Sequence, residues 1–176
     1  MSALSEVRGG IFYYVQEYDM LGEAFSNALG DVMSIVARDI KIRVSLAGEG
    51  LASDIKIKKV YGKNWKKLDD RNYEITLPQL SSELTKDFVF ELDIPIIEGH
   101  VDDSDRIVHV LKALFQAKGV NEENIEGECH LSLTLLNEDE LLAEAVEDQA
   151  VVENYLRVLA AAKIAESMRK ADEGNF

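Results

Sequence analysis

Cys129 is the only thiol of the chain, and it stands next to His130, one of three imidazoles. A thiolate beside an imidazole is the pairing of a nucleophile with its base. Here, however, Cys129, Leu131, Leu133 and Leu135 alternate with polar neighbours, which is the period of a strand. Adjacent strand residues leave opposite faces, so the two side chains cannot serve each other. Cys129 falls on the leucine face and is expected in the core. His109 sits in the apolar run Ile107 to Ala117 and is also expected to be a core histidine. His100, Asp102, Asp103 and Asp105 form an acidic loop, 100–105, whose hard oxygens suit Ca2+. The glycine and the spaced glutamate of an EF-hand are missing, so a solvated loop is the plainer reading. Gly48-x-Gly50 followed by Asp69 and Asp70 resembles a dinucleotide fingerprint, but the Ile55-Lys-Ile-Lys stretch after it reads as a strand, not the helix a phosphate needs. No metal, cofactor or triad spacing emerges.

Trp65 is the one residue placed as a binding hot spot. It lies within Lys63-Asn-Trp-Lys-Lys67, and Lys56 and Lys58 precede it. An aromatic among ammonium groups can dock an acidic partner. Lys56, Lys58, Lys63, Trp65, Lys66 and Lys67 are therefore the candidate partner-binding patch; the competing reading is a Trp covering a sandwich edge beside a solvated hairpin face. The patch belongs to a longer basic segment. Arg38 to Lys67 holds nine Lys/Arg against three Asp/Glu, in a chain whose formal net charge is −14. The acidic remainder disfavours nucleic acid and anionic membranes, which are held by Lys and Arg.

The elements that must position these residues are legible from periodicity. Ile11 to Val15 reads as a strand. Leu21, Phe25, Leu29, Val32 and Val36 recur at helical spacing, so a helix is expected from Asp19, its cap, to Ala37. Gly22 and Gly30 within it suggest close packing against a neighbour. The period then changes to two: Ile40, Ile42, Val44 and Leu46 point one way and Lys41, Arg43 and Ser45 the other. Further strands are expected at Ile55 to Val60, at Tyr73 to Leu77 and Phe88 to Ile94, the last two ended by Pro78 and Pro95, and at Cys129 to Leu135. Ile107, Val108, Val110, Leu111, Leu114 and Phe115 fit a helix by spacing, but the β-branched start and the following Gly119 also suit a strand, and a strand from Ile107 to Ala117 buried on both faces is the favoured reading. Asp148 to Arg169 reads as a second amphipathic helix, with Glu153–Arg157 and Glu166–Lys170 as ion pairs.

Short turns between consecutive strands argue for an α+β chain. Its centre is an antiparallel β-sandwich of about six or seven strands, with a strand–helix lead-in and a C-terminal amphipathic helix. At 176 residues and 47% apolar content, one domain and a sizeable core are within reach. One cysteine excludes an internal disulfide and suits a reducing compartment. No run reaches the roughly 18 apolar residues of a membrane span, and no secretory signal is recognisable, so a cytoplasmic location is expected.

The order Gly9-Gly10-Ile11-Phe12-Tyr13-Tyr14-Val15, then Leu21-Gly-Glu-Ala-Phe25 through Ile40, resembles the last strand and last helix of a von Willebrand factor A domain. The closer likeness is to the intracellular group related to inter-alpha-trypsin-inhibitor and chloride-channel-accessory proteins. Leu80 to Pro95 is similar to that group's strand ahead of a proline stop, and the final helix to its trailing helical segment. The resemblance implies three parts: 1–38 closing an A domain, 39–142 a β-sandwich, and 143–176 a helical segment. The Asp-x-Ser-x-Ser loop that holds the A-domain metal does not occur in this sequence, so no metal ligand carries over. The expectation is a non-enzymatic protein-interaction or scaffold module, acting on a protein partner, with self-association through the terminal helices. The alternative is a Ca2+-dependent binding module or a hydrolase using the acidic loop 100–105.

Overall fold

The computed structural model describes residues 14–47, 53–62, 64–95, 106–135 and 147–174. Residues 11–13 of the expected first strand, most of the 48–53 glycine turn, Lys63 and the acidic loop 100–105 lie outside them, and Tyr14 and Val15, the described end of that strand, have no regular structure. A short 3-10 turn, Tyr18–Met20, leads into α1, Leu21–Met33. Asp19 lies inside this turn, and no side chain caps the helix.

The helix ends four residues before the expected Ala37. Ser34 closes it: its N–H donates to the Gly30 carbonyl and its hydroxyl to that of Asp31. The Ser34 carbonyl then accepts from the Ser82 N–H. The β-branched pair Ile35-Val36 is thereby drawn into β1, Ile35–Leu46. A boundary at residue 39 would cut this strand in two.

Six more strands follow: β2 Lys56–Val60, β3 Lys66–Lys67, β4 Asn72–Ser81, β5 Phe90–Asp93, β6 Ile107–Gly119 and β7 Asn124–Thr134. The last helix is α2, Gln149–Asp172. The strands form two antiparallel sheets, one of five strands in the order β3-β4-β1-β6-β7 and one pairing β2 with β5. The fold is α+β and sandwich-like, with a helix on either side of the strands in the sequence, as the periodicities predict. The layering comes from β2 and β5 leaving the main sheet, so that β1 pairs with β4 and β6 rather than with β2.

Pro78 does not end its strand. β4 runs on to Ser81, and the register sets Pro78 opposite Asp39, between the Ile40–Leu77 and Arg38–Gln79 pairs. Asp39 adopts φ 50°, and β1 slips its register against β6 between Arg38 and Lys41. A proline is tolerated where the ladder is already broken or open, at a bulge or an edge.

The five-stranded sheet has one apolar and one polar face. Ile40, Val44, Leu46, Ile75 and Leu77 are buried on the inner face. β6 joins them through Val108, Val110 and Leu111, the run of two adjacent buried residues coinciding with the register shift between His109 and Leu111. That shift, rather than burial on both faces, explains why the apolar residues of β6 fail to alternate. The inner face is covered by Ile55, Ile57, Phe90 and Leu92 from the small sheet and its approach, and by Trp65 and Phe88. Arg43–Glu74, Lys112–Glu128 and Gln116–Glu126 pair on the outer face.

α2 opens as expected on Asp148, whose Oδ1 accepts from the Ala150 and Val151 N–H groups. It has no fully buried residue, and Val151, Leu156, Ile164 and Met168 are exposed on different sides. The expected stripe is still visible, because Val152, Val158, Leu159 and Ala162 are half-buried along one side. Glu166–Lys170 forms as expected, at 3.0 Å. Arg157 instead reaches Asp87 at 3.7 Å, while Glu153 accepts from Gln149.

Candidate functional site

The predicted patch separates into a tryptophan packed on the core and lysines of which Lys58 and Lys67 are ion-paired. Trp65 is half-buried and packs against both core clusters. Its ring meets Phe88 at 5.4 Å and Phe90 at 5.0 Å, both edge-to-face, a geometry that satisfies the ring quadrupoles. Gly62, at φ 112°, turns the chain just ahead of it; L side chains rarely adopt this backbone conformation. A Cβ at Gly62 would stand 3.5 Å from the Trp65 ring. The aromatic surface that sequence reasoning offered to a partner is therefore turned onto the small sheet.

The lysines meet carboxylates. Lys58 Nζ lies 2.6 Å from Glu91 Oε1, and Lys67 Nζ 2.6 Å from Asp70 Oδ1. Lys56 is opposite Asp93 in the β2–β5 register, and Lys66 opposite Glu74 in the β3–β4 register. Lys58 and Lys67 are thus ion-paired, while Lys56 and Lys66 only lie across the strand pair from a carboxylate, Glu74 being bonded to Arg43. The sequence signal was present in Glu91 and Asp93, which alternate on the strand that β2 pairs with. What it lacked was the pairing.

One node ties β2, β5 and α2 together. The Tyr61 hydroxyl donates to Glu91 Oε2 at 3.3 Å, its ring stands edge-to-face on Tyr155 at 5.9 Å, and Lys59 Nζ sits 4.4 Å over it. Burial pushes the Tyr61 phenol up to about 12, with Tyr155 and then Glu91 adding to the shift. The hydrogen bond from Lys58 holds the Glu91 carboxyl below the usual glutamate range, and the same contact raises Lys58.

The outer face of β6 and β7 gathers a second group. His109 Nδ1 lies 2.8 Å from Ser132 Oγ, and His130 Nε2 lies 2.8 Å from Glu128 Oε1. Lys112 Nζ reaches Glu128 Oε2 at 2.8 Å, and the two imidazoles are 5.5 Å apart. His109 is exposed, not a core histidine, because the register shift in β6 leaves it on the outer face opposite Ser132. Ser132 with His109 has the reach of a nucleophile and its base. The carboxylate that would orient that base pairs with His130 instead, and the group lies on an open sheet face. Among the described residues, no three His, Cys, Asp or Glu side chains group to hold a metal.

Cys129 points to the inner face, as its alternation predicts, but it is exposed. It opens on a groove of about 560 Å3 lined by Ile42, Val44, Phe88, Leu111, Leu131 and Val151. Ile125 and Leu133 of β7 pack on the core clusters, but the first turn of α2 and the Lys86–Phe88 segment wall the groove without closing over the thiol.

These pairs predict the pH dependence of stability. Glu128 is lowered by its hydrogen bonds from Lys112 and His130, Glu74 by that from Arg43, and Asp69 by the Arg71 backbone N–H. A depressed carboxyl contributes stability above its unfolded value, near 4.5 for Glu, and loses it as pH falls through the folded value. Lys58, Lys67 and Tyr61 are raised, so their contribution is full below about pH 10 and is lost above it. Urea midpoints at about pH 3.5, 7 and 11 are expected to be highest at 7 and lower at both ends.

No family model, curated protein or solved structure matches this chain. Among the described residues, no helix is long and apolar enough to cross a membrane.

Proposed function

We propose that this chain is a non-enzymatic protein-interaction module of an A-domain protein, working in the cytoplasm, with α1 as its partner-binding element. The observation that carries this reading is the bare apolar stripe of α1. Leu21, Phe25, Leu29 and Val32 recur at helical spacing and are 53%, 69%, 51% and 62% exposed, and none of the helix is buried. A Cβ added at Gly22 or Gly30 would meet nothing within 4 Å, so the close neighbour their placement suggested is not among the described residues. A stripe of this kind on a helix is a surface that burial against a partner would stabilise. The resemblance of Leu21 to Ile40 to an A domain's last helix supplies the partner's class: the sheet such a helix covers.

The test mixes the chain with an A-domain body lacking its last strand and helix. Hydrogen exchange across Leu21–Met33 is expected to slow on mixing, and Phe25→Asp to abolish the effect. Unchanged exchange, with turnover of small ester substrates that Ser132→Ala removes, would overturn the reading in favour of a hydrolase.

A further inference from the structure

We propose that β7 pairs antiparallel with β7 of a second copy of this chain, about a two-fold axis at Cys129, joining two five-stranded sheets into one. The inference stands apart from the reading of α1 and uses a different surface.

β7 is eleven residues long and ends its sheet; among the described residues no strand pairs with its other edge. Such an edge presents a row of unpaired N–H and C=O groups. The opposite edge of the sheet is blunted by the two-residue β3 and by Pro78 in β4. β7 contains no proline.

The direction of each backbone group follows from two hydrogen bonds at the ends of the ladder. The Leu135 N–H donates to the Arg106 carbonyl, and the Glu123 carbonyl accepts from the Gly119 N–H. Odd-numbered residues of β7 therefore face β6, and Asn124, Glu126, Glu128, His130, Ser132 and Thr134 turn their N–H and C=O groups outward. An antiparallel copy centred on Cys129 places Glu128 opposite His130 of the second copy, and the reverse, as hydrogen-bonded pairs. Gly127 then faces Leu131 and Ile125 faces Leu133 on the inner side. Leu131 is 48% exposed, and a Cβ at Gly127 would meet nothing within 4 Å, so the glycine leaves room for the leucine.

Charge repulsion selects this centring. Moving the axis to Glu128 sets Glu128 against itself, and moving it to Gly127 sets Glu126 against Glu128. Moving it to His130 sets the imidazole against itself and shortens the overlap. Like charges directly opposite destabilise a strand pair, whereas an imidazole N–H can donate to a carboxylate opposite it. In the Cys129 register the two thiols form a non-hydrogen-bonded pair with Cα atoms roughly 4.5 Å apart, within the span a disulfide accepts.

The experiment is sedimentation velocity in reducing buffer, with secondary structure checked by circular dichroism. The wild-type chain is expected to show a concentration-dependent dimer. His130→Glu, which sets four carboxylates together, is expected to be monomeric, and His130→Lys to stay dimeric. Diamide, which takes two electrons and two protons from a thiol pair, is expected to cross-link the wild type; Cys129→Ser is expected to dimerise without cross-linking.

A further variant fixes the register without relying on His130. In the Cys129→Ser background, Gly127→Cys with Leu131→Cys is expected to cross-link only between copies, because four strand residues span roughly 13 Å, too far for an internal bridge. A monomer at every concentration would overturn the proposal. So would a folded His130→Glu chain that still dimerises, or a dimer whose 127/131 cysteines do not bridge.

Discussion

Replacing Trp65 with alanine is expected to cost about 3 kcal/mol, at the low end for a large aromatic because Trp65 is only half-buried. The unfolding midpoint of a chain this size would fall by roughly 6–12 °C. The physical reason is position. Trp65, like Ile42, is packed against both buried clusters, the one around Val44, Ile55 and Val110 and the one around Ile40, Ile75 and Leu77. Its removal takes away the edge-to-face partner of both Phe88 and Phe90. Trp65→Phe restores one ring and is expected to recover more than half of the loss.

The same substitution separates the two readings of the residue. A docking hot spot loses binding on truncation while the free protein keeps its stability. A clasp loses stability. Because Trp65 is the sole tryptophan, its emission reports directly: it is expected to be blue-shifted in the native chain and to move to the red in the same urea transition as the far-ultraviolet signal. A red-shifted native emission with an unchanged midpoint for Trp65→Ala would return Trp65 to the surface patch.

Ile40→Ala is expected to have an effect of similar size, about 3 kcal/mol, for a different reason. Ile40 is 1% exposed and sits beside the bulge at Asp39, packed with Ala37, Ile75, Leu77 and Ala117. Two of those neighbours are alanines, which are too short to close a vacated site. The backbone on one side is held to Leu77 in register and cannot collapse inward. Ile40→Val, which removes a single methylene, is expected to cost about 1 kcal/mol. Val120→Ala, at a residue 62% exposed, is expected to change stability by less than about 0.5 kcal/mol. Urea midpoints with unchanged slopes check all three. Equal effects at positions 40 and 120 would mean that the Ile40 cluster is not a packed core.

The three surfaces differ in what they ask of a partner. The inner face of the main sheet is packed by β2, β5 and Trp65 and, among the described residues, opens on a groove beside Cys129. The stripe on α1 asks for an apolar face. The outer edge of β7 asks for a strand. Of the lysines from Lys56 to Lys67, Lys58 and Lys67 are ion-paired within the chain, with Glu91 and Asp70. Exposed pairs of this kind contribute little stability each.

Period alone determined much of this protein. Ile40, Ile42, Val44 and Leu46 declared a strand and its inner face, Cys129 to Leu135 declared another, and Asp148 declared the start of α2 through a cap that is local in sequence. These features rest on interactions within a few residues, so the chain's order encodes them. The end of α1, the passage of β4 through Pro78 and the outward placement of His109 did not follow from local pattern. Each is decided by a partner distant in sequence: Ser82 for Ser34, the bulge at Asp39 for Pro78, the register shift against β7 for His109. The clearest case is Cys129. Its alternation assigned the right face, yet the thiol is exposed. Alternation says which way a side chain points; whether anything covers it depends on what packs on that face, and over Cys129 the small sheet and the first turn of α2 leave an open groove.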